Sequence, residues 1–83
     1  MHIHWEKSWE KVNGPFMFEA NAGPLIALVL LPTDCGMWHA QLWNSIDPNF
    51  VGFSTYYDGH PGFDTAEQAM KYTENHIKLV QRS

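Results

Sequence analysis

Leu25-Ile26-Ala27-Leu28-Val29-Leu30-Leu31 is an unbroken apolar run set between Pro24 and Pro32. Crossing a bilayer takes about 20 apolar residues, so this run does not span a membrane. Its length suits a strand buried on both faces, whereas a buried helix needs roughly ten residues or more. The run is therefore read as the central strand of a sheet. Alternation puts Leu25, Ala27, Val29 and Leu31 on one face and Ile26, Leu28 and Leu30 on the other. Both faces need cover.

The flanking sequence supplies more strands. Phe16-Met17-Phe18-Glu19-Ala20 alternates, with Phe16, Phe18 and Ala20 opposite Met17 and Glu19. Asn21-Ala22-Gly23 reads as a hairpin turn, because Asn and Gly both tolerate left-handed backbone. Pro32-Thr33-Asp34-Cys35-Gly36 is the next turn. Beyond it, Trp38, Ala40 and Leu42 alternate with Met37, His39, Gln41 and Trp43, and the polar members of the second set suggest a partly solvated face. Asn44–Asn49 reads as a loop and Phe50–Tyr57 as an aromatic, β-branched strand. Within that strand Gly52 marks a bulge or a close backbone approach. Asp58-Gly59-His60-Pro61-Gly62 is dense in turn formers.

The C-terminal third predicts a helix. Asp64 with Glu67, or Thr65 with Gln68, forms a capping box. Ala66, Ala69, Met70, Thr73, His76, Ile77 and Val80 make an inward stripe, opposite Glu67, Lys71, Glu74, Lys78 and Arg82. A helix of about 17 residues covers one face of a small sheet. Residues 2–12 fit two periods. Trp5, Trp9 and Val12 suit a helix, while Ile3, Trp5 and Trp9 suit a strand. The fold expected is α+β: an antiparallel sheet of three to four strands against one C-terminal amphipathic helix, with an N-terminal helix or extended segment. Either the Trp5–Trp9 segment or another molecule then covers Ile26, Leu28 and Leu30.

The 83 residues make one domain, 1–83. At 17% charged and 45% hydrophobic, the chain is too apolar for disorder and has aromatic area to spare for a surface. Cys35 is the single cysteine, so no internal disulfide forms, and Met1–Glu6 lacks the pattern of a signal peptide. A cytoplasmic location is expected. Net charge is −4, and no Lys or Arg lies between Val12 and Met70, an interval holding Glu19, Asp34, Asp47, Asp58, Asp64 and Glu67. Cations neutralising phosphates drive nucleic-acid affinity. Direct nucleic-acid binding is therefore not expected, nor is membrane association.

Each candidate site has an ordinary reading beside it. His2 and His4 share a strand face at i, i+2, but Cys35, His39 and His60 lack the ligand spacing of a zinc site. No metal or other cofactor is expected. Cys35 with His39 and Asp34 resembles a nucleophile set only by adjacency, and a neighbouring carboxylate would raise the thiol pKa. Asp58, His60 and Asp64 precede a helix N-terminus that Asp64 and Glu67 already occupy. No catalytic residue is assigned. The aromatic residues outnumber the places one helix can cover: either Trp5 and Trp9 fold across and complete the core, or Trp43, Tyr57, Met17 and His39 form an exposed patch, with Asp47 and Asp58 as carboxylates at its rim.

Met37–Leu42, Gly52-Phe53 and Phe63-Asp64-Thr65-Ala66-Glu67-Gln68-Ala69 together resemble the plant ethylene-response-factor domains, which have a similar Trp-x-Ala strand and helix start. With an N-terminal helix the order also resembles a double-stranded-RNA-binding domain. These resemblances imply topology alone, since the arginines and basic helix start that bind nucleic acid there are absent. The function expected is a small acidic non-enzymatic protein-binding module for a basic partner surface. Phages and mobile elements use proteins of this kind, anti-CRISPR proteins among them, to inhibit host defence. The alternatives are a homodimeric structural domain and a small-molecule or metal-binding protein using His39, His60 and Cys35.

Overall fold

The structure, a computed structural model, describes residues 3–11, 14–32 and 36–82. Five strands, β1 (Glu6–Lys11), β2 (Gly14–Ala22), β3 (Leu25–Leu30), β4 (His39–Asn44) and β5 (Phe53–Ser54), precede one helix, α1 (Ala66–Arg82). The strands lie in chain order, each antiparallel to the next, with β3 at the centre. The α+β class is as expected, and the sheet has five strands rather than three or four.

The fifth strand comes from the N-terminal segment, where no helix forms. A stretch this short cannot hold an isolated helix in water, whereas pairing with β2 satisfies its backbone. Alternation also separates buried Ile3 and half-buried Trp5 from exposed His4 and Glu6. The pairing is irregular: Lys7 lies opposite Phe18 and Trp9 opposite Met17, with register shifts on both sides of Trp9. Between β2 and β3 the turn is Gly23-Pro24, one step later than Asn21–Gly23 implies. Gly23 has φ 61°, the positive value that a two-residue hairpin needs at its first position.

The predicted strand Phe50–Tyr57 shrinks to Phe53–Ser54. Gly52 explains part of this, because a Cβ there would collide with the carbonyl oxygen of Leu42. It is the close approach read from the sequence. Beyond Ser54 the chain curls into a turn held by Asp58 N–H donating to Ser54 O at 2.9 Å and His60 N–H donating to Thr55 O at 3.0 Å.

Registration across the sheet defines two faces. Phe18, Val29 and Ala40 form one row, and Ala20, Ala27, Leu42 and Phe53 the next. These rows carry the core: Ala20, Leu25, Ala27, Val29, Ala40 and Leu42 pack with Ala66, Ala69 and Ile77 of α1. Small residues on the sheet let the helix approach closely. Ala66, Ala69, Thr73 and Ile77 are the buried helical positions, at the predicted spacing. Of the two capping pairs, Gln68 N–H donates to Thr65 Oγ1 at 3.2 Å, and Asp64 N–H donates to Gln68 Oε1 at 3.0 Å. Trp5 packs on this helix side, its Nε1–H donating to Glu74 Oε2 at 2.8 Å. Ile3 joins the same cluster as Ile77.

Candidate functional site

Ile3 and Trp5 thus complete the helix-side core, while the backbone of Trp9 lies in register with Met17. Among the described residues no element forms a layer over the second face of the sheet. The rows on that face are Met17–Leu30–His39, Glu19–Leu28–Gln41–Ser54 and Asn21–Ile26–Trp43. Burial along β3 alternates, with Leu25, Ala27 and Val29 buried and Ile26, Leu28 and Leu30 half-buried. The result is an apolar stripe three residues long, bordered by Met17 on β2 and Trp43 on β4.

The expected site residues divide into two groups. Met17 and Trp43 stand on this open face at diagonal corners, and Trp43 is exposed. His39 occupies the same face but is buried, 3% exposed, beneath the edge of the Tyr56 ring at a centroid distance of 5.3 Å. Tyr56 in turn meets the exposed Tyr57 edge-on at 5.3 Å. His39 is thus a support for the tyrosines rather than a contact residue.

On one side the His39 ring meets a hydroxyl. His39 Nδ1 and Thr55 Oγ1 share a hydrogen bond of 2.9 Å, whose direction depends on the imidazole tautomer. Thr55 is fixed by Ala40 N–H donating to its Oγ1 and by its own N–H donating to Ala40 O, each at 2.9 Å. Gly62, at φ 95°, closes the other side. A Cβ there would stand 3.0 Å from His39 Nε2 and 2.6 Å from Met37 Cβ. Burial lowers the His39 pKa below 6.5, and the nearby His60 lowers it further.

The two carboxylates assigned to the rim are exposed and also bond within their own loops. Asn44 Oδ1 accepts from the N–H groups of Ile46 and Asp47, and Asp47 Oδ1 accepts from Asn49 N–H at 2.9 Å. Asp58 Oδ2 accepts from Ser54 N–H at 3.2 Å. Asp47 lies in the loop that follows β4, and Asp58 in the turn that follows β5. The acidic groups beside the stripe are different ones. Glu6 pairs in register with Glu19, which neighbours Leu28. A depression of about 220 Å³ lies there, lined by His4, Glu6, Glu19, Ala20 and Asn21. Across it His4 Nε2 and Glu6 Oε1 are 3.7 Å apart, and both side chains are exposed.

A second aromatic group lies on the helix side. Tyr72 contacts His60, Phe63, Phe53 and His76 at centroid distances from 4.5 to 5.8 Å, tying the 58–62 loop to α1. His60 Nδ1 accepts from Gly62 N–H, and His76 Nδ1 lies 3.1 Å from Tyr72 O. These histidines serve packing. Among the described residues no three His, Cys, Asp or Glu are grouped to hold a metal, and no helix is long and apolar enough to cross a membrane. Cys35, Asp34 and His2 lie outside the described residues. No protein-family model, curated protein or solved structure matches the chain.

Proposed function

We propose that the protein is a small non-enzymatic binding module that docks a partner protein on the open face of its sheet. The observation behind this reading is the β3 stripe. Ile26, Leu28 and Leu30 occupy the centre of the sheet, yet the described part of the chain puts no layer over them. Burying apolar area is the main source of association energy, at about 25 cal/mol per Å². An apolar centre with polar surroundings, here Glu19, Gln41 and Asn21, is the usual anatomy of an interface. Met17 and Trp43 add the residue types enriched there.

Charge selects the partner. With carboxylates beside the stripe and no Lys or Arg from residue 13 to 69, the surface favours a partner whose apolar patch is flanked by cations. Blocking a basic surface of a host protein, as phage-encoded inhibitors do, is the use we propose for a module of this size and charge. The test is affinity capture with three forms of the protein: native, Leu28→Asp, and Val51→Asp at a 91% exposed position outside the strands. A partner held stoichiometrically by the native and Val51 forms, and lost with Leu28→Asp, is the expected result. Capture that ignores Leu28, or recovers no partner, sinks the reading.

A further inference from the structure

We infer that the partner element is an amphipathic α-helix lying along β3, with one basic flank seated over Glu6 and Glu19. This rests on the docking reading above and specifies what occupies the face. Ile26 to Leu30 spans four strand steps, about 14 Å at 3.4 Å each. At 1.5 Å rise that length matches about nine helical residues, two and a half turns. A helix is the layer that closes a sheet face of this size, as α1 does on the opposite side.

The edges of the sheet do not favour strand addition as the alternative. β5 offers two residues. β1 has register shifts on both sides of Trp9 and exposes the charged Glu6 and Lys7, devices that discourage edge pairing. The two flanks of the stripe differ in chemistry. The β4 side presents Gln41 and Trp43, and the β1–β2 side presents Glu19 and Glu6 around the depression of about 220 Å³. Glu19 is one strand spacing from β3 and Glu6 two, about 5 and 10 Å. An Arg or Lys on the flank of a docked helix reaches both. A second copy of this chain fits less well, because each copy brings Glu6 and Glu19 to this flank and carries a net charge of −4.

The test uses two synthetic 14-residue helical peptides with Leu at i, i+3, i+7 and i+10. One has Arg along a single flank and the other has Glu at the same positions. Amide shift mapping and titration are expected to put the Arg peptide over Met17, Leu28, Leu30 and Glu19. It should bind roughly five- to tenfold more tightly than the Glu peptide, an advantage that shrinks with salt. A Glu6→Gln/Glu19→Gln double variant is expected to remove most of that difference while still binding. Equal affinity for the two peptides, shifts confined to β1, or no binding overturns the helix inference. So does a dimer in sedimentation that Leu28→Asp disperses. If the peptides fail but Leu28→Asp still abolishes capture of a partner, the docking face stands and the helix does not.

Discussion

Adjacent residues of β3 provide a direct comparison of the two faces. Val29 is fully buried, flanked in register by Phe18 and Ala40 and packed in the cluster that includes Ala66 and Ala69. Val29→Ala removes two methyl groups, about 1.6 kcal/mol of transfer energy. A residual cavity beneath α1 brings the loss to about 2–3 kcal/mol. For a domain of this size each kcal/mol moves Tm by about 4–8 °C, so the melting point falls by about 10–20 °C. Leu28→Ala deletes a larger side chain from the open face, where much of it is already wet in the free protein. It is expected to cost less than half as much, roughly 1 kcal/mol or below. Urea melts of both variants at two protein concentrations make the comparison. If Leu28→Ala is as costly as Val29→Ala, the second face is covered in solution and the reasoning fails.

Three further substitutions or conditions probe the supports. Gly52→Ala forces a Cβ onto the Leu42 carbonyl, and is expected to destabilise by about 1–3 kcal/mol because backbone must move; a neutral result in urea would mean that residues 50–52 do not hug β4. Trp5→Phe removes the Nε1–H bond to the Glu74 carboxylate and should cost about 1–2 kcal/mol, whereas an unchanged midpoint would place the indole N–H in water. His39 has a folded-state pKa depressed below 6.5, so the unfolded chain binds the extra proton. Its contribution is complete above pH 6.5 and is lost as pH falls through that value toward the folded pKa. Following the His39 ring signals by NMR checks the sign, and a midpoint at or above 6.5 refutes it.

The helix and the faces of the central strands were legible because each carries an uninterrupted period. The Ala66, Ala69, Thr73 and Ile77 spacing and the Trp38, Ala40 and Leu42 alternation needed only local rules. The N-terminal strand was less so, since Trp5 and Trp9 fit two periods and only pairing with β2 decides between them. Gly52 signalled a bulge or a close approach, but not that its neighbour is the Leu42 backbone, ten residues away, nor that the strand after Phe50 shortens to Phe53–Ser54. For the site, the need to cover Ile26, Leu28 and Leu30 could be read from the apolar run, and Met17 and Trp43 from alternation. The burial of His39 could not, because it results from Thr55, Tyr56 and Gly62 closing around the ring. Nor could the acidic flank: Glu6 and Glu19 meet only once β1 is a strand in register with β2. Asp47 and Asp58 looked like rim charges because loop carboxylates usually face solvent. Both are exposed, and their oxygens also accept backbone N–H groups of Asn49 and Ser54.

The claim underlying all of this is that one face of β3 is open to solvent in the free protein. Methyl NMR with a soluble nitroxide tests it most directly, since broadening reports approach of the probe. Ile26, Leu28 and Leu30 methyl signals are expected to broaden strongly, with Leu25, Val29 and Ile77 spared beneath or within α1. Equal protection of the two sets would show the second face already covered, and would contradict the docking surface built on it.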